Sequence, residues 1–151
     1  MTQAYTQRFT EVHELLDPNW LTPVDRAAAA YPTGYVSMAN HQRAGYILLT
    51  GVMTQGSTVD LQLWQATDAA GTGAKVIVGK AITQLTQAGG DGGDACIIEL
   101  RTEELDVDGG FSFVAGILTV AGAATLCALL PLFGCSNFPP VPVANWTEVI
   151  G

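Results

Sequence analysis

The chain is expected to be all-β: an antiparallel β-sandwich, with a jelly-roll-like arrangement among the forms it could take. Three observations lead there. In "STVDLQLWQATD", Val59, Leu61 and Leu63 share one face and Asp60, Gln62 and Trp64 the other, which is the period of a half-buried strand. The turn-forming stretches "DAAGTG" and "QAGGDGGD" divide the apolar runs and supply the positive φ angles that tight connections need. No long helical periodicity lies between those runs, so the strands join as antiparallel neighbours rather than through βαβ crossovers.

Taken in order, "FTEVHELL" places Phe9, Val12, Leu15 and Leu16 at helical spacing and predicts a short amphipathic helix. Asp17-Pro18 ends it, because a residue before proline is pushed out of the α region. "DPNWLTPVDRAAAAYPTG" holds three prolines and few core positions, so residues 1–33 read as an extended N-terminal arm. Residues 34–151 read as the sandwich domain with a C-terminal tail. "RAGYILLTGVM", "STVDLQLWQATD", "AKVIVGKAITQL" and "DACIIELRTEEL" are its first strand candidates. Leu61, Leu63, Ile97, Leu100, Phe113, Ile117 and Val120 are expected in or near its core.

The run from Phe111 to Phe133 carries no charge over 23 residues, long enough for a membrane helix. Gly116 and Gly122 interrupt it, Pro131 suits neither a helix nor a central strand, and no Lys or Arg flanks it. It reads as two buried strands joined by a hairpin turn at "AGAA", and no membrane contact is expected.

At 151 residues the chain suits one domain, and its 14 acidic against 6 basic residues give a net charge of −8. The basic residues are scattered, so no nucleic-acid contact is expected. The N-terminal residues show no basic start before an apolar run, so no secretory signal is expected. Cys96, Cys127 and Cys135, odd in number and without CxxC spacing, read as small buried hydrophobes rather than a disulfide framework or zinc site. His13 and His41 have no Ser or Cys in a nucleophile-like context. "ELRTEELDVDGG" lacks the third acidic ligand and terminal glutamate of a calcium loop and reads as a solvated turn. "AGGDGGDA" lacks the Lys-Ser/Thr of a phosphate loop. No catalytic residue, metal or cofactor is expected, and the chain is read as not an enzyme.

Four stretches in order go beyond composition: "TGYVSMANHQRAGYILLTGVM", "VDLQLWQATDAAGTGAK", "GKAITQLT" and "LRTEELDVDGGF". Between about Thr33 and Val120 the chain resembles a family of small proteins encoded in tailed-bacteriophage structural modules. The most specific part surrounds Gln65-Ala66-Thr67-Asp68 with Gly71, Gly73 and Lys75. Gln62 stands where the family has Lys or Glu, and "CALLPLFGC" is more apolar than the family's tail. The resemblance implies a capsid decoration (cement) protein on the virion exterior, made in the host cytoplasm and bound to the major capsid protein. Lattice geometry adds an expected homotrimer. A head–tail connector or tail-tube component is the alternative within virions. A carbohydrate-binding β-sandwich, with Trp64 stacking on sugar, is the alternative of another class. Phe9, Leu15, Leu16, Trp20 and Leu21 are interface candidates because the arm alone cannot bury them, with Trp20 as anchor; Trp64 is a rim or intersubunit candidate.

Overall fold

The alternation that predicts a strand at residues 57–68 becomes the strand Thr58–Ala66, with Val59, Leu61 and Leu63 at 0–1% exposure. A computed structural model describes residues 9–15 and 19–134. One helical turn, α1 (Phe9–Val12), precedes eleven strands: β1 (His13–Glu14), β2 (Leu21–Arg26), β3 (Ala29–Pro32), β4 (Val36–Ser37), β5 (Arg43–Met53), β6 (Thr58–Ala66), β7 (Lys75–Ala81), β8 (Leu85–Thr86), β9 (Ala95–Arg101), β10 (Phe113–Ala121) and β11 (Thr125–Gly134).

The strands form two antiparallel sheets. In the first, β1 and β2 lie along β11, followed by β5 and β9; in the second, β3 and β4 lie along β10, followed by β6, with β7 and β8 along its far side. Chain order and sheet order together define the topology. The sheets read β2-β11-β5-β9 and β3-β10-β6-β7, so the chain changes sheet at almost every connection, and the first and last of these strands are neighbours. That is the eight-position jelly roll, two interlocked Greek keys. Tyr46, Leu48, Leu61, Leu63, Leu118, Leu129 and Phe133 fill the space between the sheets.

The uncharged run is β10 and β11, as two strands, but they are not a hairpin. β10 pairs with β3, β4 and β6 and β11 with β1, β2 and β5, so "AGAA" carries the chain from one sheet to the other. Gly122 (φ +76°) makes that crossing where a Cβ would lie 2.1 Å from the Gly56 carbonyl oxygen, in the β5–β6 crossing. Pro131 sits buried within β11 opposite Tyr46. On its other side the described pairings step from Leu129–Leu21 to Phe133–Glu14, and no described residue pairs with the proline there. Among the described residues no helix is long and apolar enough to cross a membrane.

Three further expectations are corrected. The helix over residues 9–16 shrinks to one turn, because His13 and Glu14 pair with Gly134 and Phe133 instead. The Asp17-Pro18 stop lies outside the described residues. The arm does not extend to residue 33: Leu21–Arg26 and Ala29–Pro32 are paired strands, one in each sheet. Their prolines fit because both strands lie at sheet edges and Pro32 ends its strand. Of the expected core, Leu61, Leu63, Leu100 and Val120 are buried, whereas Ile97 is 57% exposed and Phe113 and Ile117 are half-buried. Ile97 and Leu100 are an odd number of residues apart on one strand, so only one can face inward. Ile98 is the inward residue, at 7% exposure.

Candidate interaction surfaces

Several of the residues that carry the sequence resemblance meet at one end of the sandwich. "QATDAAGTGAK" closes the β6–β7 connection. Asp68 Oδ1 accepts the backbone N–H of Ala70 at 2.9 Å and of Thr72 at 3.0 Å, and Thr67 Oγ1 donates to the Thr72 carbonyl at 3.1 Å. This side-chain turn is why Asp and Thr stand at those positions. Gly71 (φ +86°) leaves room for Tyr35, whose ring would be 2.7 Å from a Cβ there. Thus "TGYV" packs on the "DAAGTG" turn that follows "QAT".

The β9–β10 loop, "EELDVDGG", is fastened to the same place. Lys75 Nζ donates to Asp106 Oδ2 at 2.5 Å and lies 4.0 Å from the centre of the Phe111 ring. Gln65 Oε1 accepts the Asp106 N–H at 2.8 Å, and Lys80 pairs with Glu104 at 2.8 Å. Hydrogen bonds from Thr72 hold the Asp68 carboxyl below the usual range; Lys80 does so for Glu104, and Lys75, with the Gly109 N–H, for Asp106. Asp68, Glu104 and Asp106 each accept from backbone or lysine, so these three carboxylates act as turn and cross-loop fasteners. The histidines likewise serve architecture. His41 Nε2 meets Glu14 Oε2 at 2.9 Å, tying β1 to the body, and His13 stacks on Phe9 at 4.2 Å.

The predicted interface residues do not form one surface. Leu15 is buried at 7% exposure and Leu21 packs against the core. Trp20 is half-buried, and Trp64 is half-buried on the outward side of β6, opposite Ala115 and Val76. Phe9 is 56% exposed, and Leu16 lies outside the described residues.

Phe9 borders a surface that sequence reasoning missed. The outward side of the first sheet bears a groove of about 670 Å³, lined by Phe9, Arg43, Ile47, Ile97, Glu99 and Leu132 among others. Its signal was present in "TLCALLPLF": a strand apolar at successive positions is apolar on both faces, not one. On β5 and β9, Leu49 and Ile97 are half or more exposed on this side.

No family model matches the chain and no curated protein does. Among solved structures, a chain in the structure of infectious bursal disease virus Gt strain has a TM-score of 0.40 and 11% identity over 80% of this chain and 34% of that one. The Gx strain gives 0.40 and 9% over 86% and 31%. The present chain spans about a third of the length of those chains. A likeness at that level assigns neither function nor partner.

Proposed function

We propose that the chain is a structural virion protein of a tailed bacteriophage, decorating the outer face of the major capsid protein shell and stabilising it. At three-fold positions it would meet two further copies of itself. The carrying observation is the ordered resemblance from Thr33 to Val120, whose segments are contiguous in space through Tyr35–Gly71, Lys75–Asp106 and Lys80–Glu104. The net charge of −8 suits an outer surface held away from packaged DNA.

The test is the copy number in purified virions, measured by gel densitometry against the major capsid protein. A stoichiometry comparable to that protein supports decoration. A small fraction of it moves the chain to the neck or tail, and absence from virions removes the reading altogether.

A further inference from the structure

Antiparallel sheets in sandwiches ordinarily turn a polar face to water. The second sheet does so in part: Thr119 stands opposite Asp60 and Ile117 opposite Gln62 across β10 and β6, next to the apolar row Ala115–Trp64–Val76. The first sheet does not. Its outward rows, read across β11, β5 and β9, are Ala128–Leu49–Ala95, Leu130–Ile47–Ile97 and Leu132–Gly45–Glu99. Charge enters this face at one end, where Glu99 stands opposite Gly45 and, one row further, Arg43 stands opposite Arg101. Glu99 and Arg43 are both exposed, and among the described residues neither side chain has an ion-pair partner; Lys80 pairs with Glu104 and Arg101 with Glu103.

We propose that this face is where two copies of the chain pack on each other about a two-fold axis. An isologous contact brings each residue of a pair to the other's counterpart. Two opposite charges at one end of an apolar strip, without an ion-pair partner among the described residues, meet that condition when the axis runs along the strands between β5 and β9: Arg43 of one copy reaches the partner's Glu99, and Glu99 receives the partner's Arg43, while the aliphatic rows close against each other. Three strands spaced about 4.8 Å, with about 3.3 Å per residue, give a patch roughly 15 by 23 Å. A contact of that size falls in the smaller interface class, so the dimer forms in a concentration-dependent way. This contact is separate from the three-fold one proposed above and stands without it; absence from virions would sink the decoration reading and leave this one untouched.

The experiment is sedimentation equilibrium of the full chain from about 1 to 300 µM, a range that brackets a micromolar dissociation constant. The wild type is expected to pass from monomer to dimer. Arg43→Glu and Glu99→Arg should each weaken the dimer tenfold or more, because each places like charges together twice. An equimolar mixture of the two variants should restore association, as should the double variant, while Ile97→Asp should abolish it. Thermal melts followed by circular dichroism establish that each variant is folded. A wild type that stays monomeric throughout overturns the proposal, whether residues 135–151 or another protein cover the face. So does a mixture of the charge variants that fails to associate.

Discussion

The ring of Tyr46 occupies the space that a side chain at residue 116 would need. A Cβ on Gly116 would lie 2.8 Å from Tyr46 Cδ1 and 2.9 Å from Cε1. Tyr46 is fully buried on β5 of the first sheet, and Gly116 faces it from β10 of the second. Thr33 holds that glycine's backbone in place, donating its N–H to the Gly116 carbonyl and accepting the Gly116 N–H at Oγ1, both at 3.0 Å. The glycine that interrupts the uncharged run is therefore a packing requirement of two facing sheets.

Gly116→Ala should accordingly destabilise the fold by about 1–3 kcal/mol, the usual range for overpacking a core. Urea unfolding measures it. Tyr46→Leu in the same chain removes the ring, so the double variant should be less damaged than the sum of the two single changes. Strict additivity would show that the two residues do not compete for that space.

The phase of the strands predicts a contrast between two aspartate substitutions. Leu118 is fully buried between the sheets, so Leu118→Asp strands a carboxylate without a partner and should abolish folding or drive aggregation. Ile97, at 57% exposure, should accept Asp with a change in unfolding free energy of about 0.5 kcal/mol or less. Equal damage at both positions would mean that β9 is registered the other way round.

The sandwich was legible because β6 alternates and glycine turns mark its borders; the crossing at Gly122 was not, since a short apolar turn reads the same whether its strands pair or part. The separate partners of β10 and β11, and the contact of Gly122 with Gly56 far away in sequence, distinguish the two. β2 and β3 were hidden by their prolines, which argue against a central strand and say nothing against an edge. The motif residues were legible as a set, but their roles as fasteners were not, because Lys75 and Asp106 are separated by 31 positions. The outward face of the first sheet was obscured by a rule of thumb, in which an apolar residue is taken as core; Ile97 and Leu49 are apolar and exposed.

Acid should loosen the motif-bearing end first. Asp68, Glu104 and Asp106 all have carboxyls held below their ordinary values in the folded protein, chiefly by Thr72, Lys80 and Lys75 respectively. A folded value below the unfolded one stabilises the protein above the unfolded value, which is about 3.9 for Asp and 4.3 for Glu. That contribution is lost as the pH falls through the lowered folded values. Asp106→Asn removes one such group, so its stability should lie below the wild type at neutral pH, and the two curves should converge as the pH drops below about 4. Urea midpoints collected from pH 7 to pH 2 test this, and parallel curves would contradict it.

The N-terminal residues next to β1 belong to the folded body and should behave as such. Leu15 is 7% exposed, and Glu14 reaches the buried His41, whose ring lies 5.4 Å from that of Phe133. Leu15→Ala removes a buried side chain and should cost about 2–5 kcal/mol. Glu14→Ala leaves His41 Nε2 buried without its acceptor, a loss of about 1–3 kcal/mol. Deleting residues 1–15 should therefore lower the urea midpoint by at least as much as Leu15→Ala alone, rather than leave the sandwich unaffected as a detachable arm would. An unchanged midpoint in the deletion, with the two point variants also neutral, would return these residues to the arm. It would also leave the edge of β11 at Phe133 and Gly134 without the partner that now covers it.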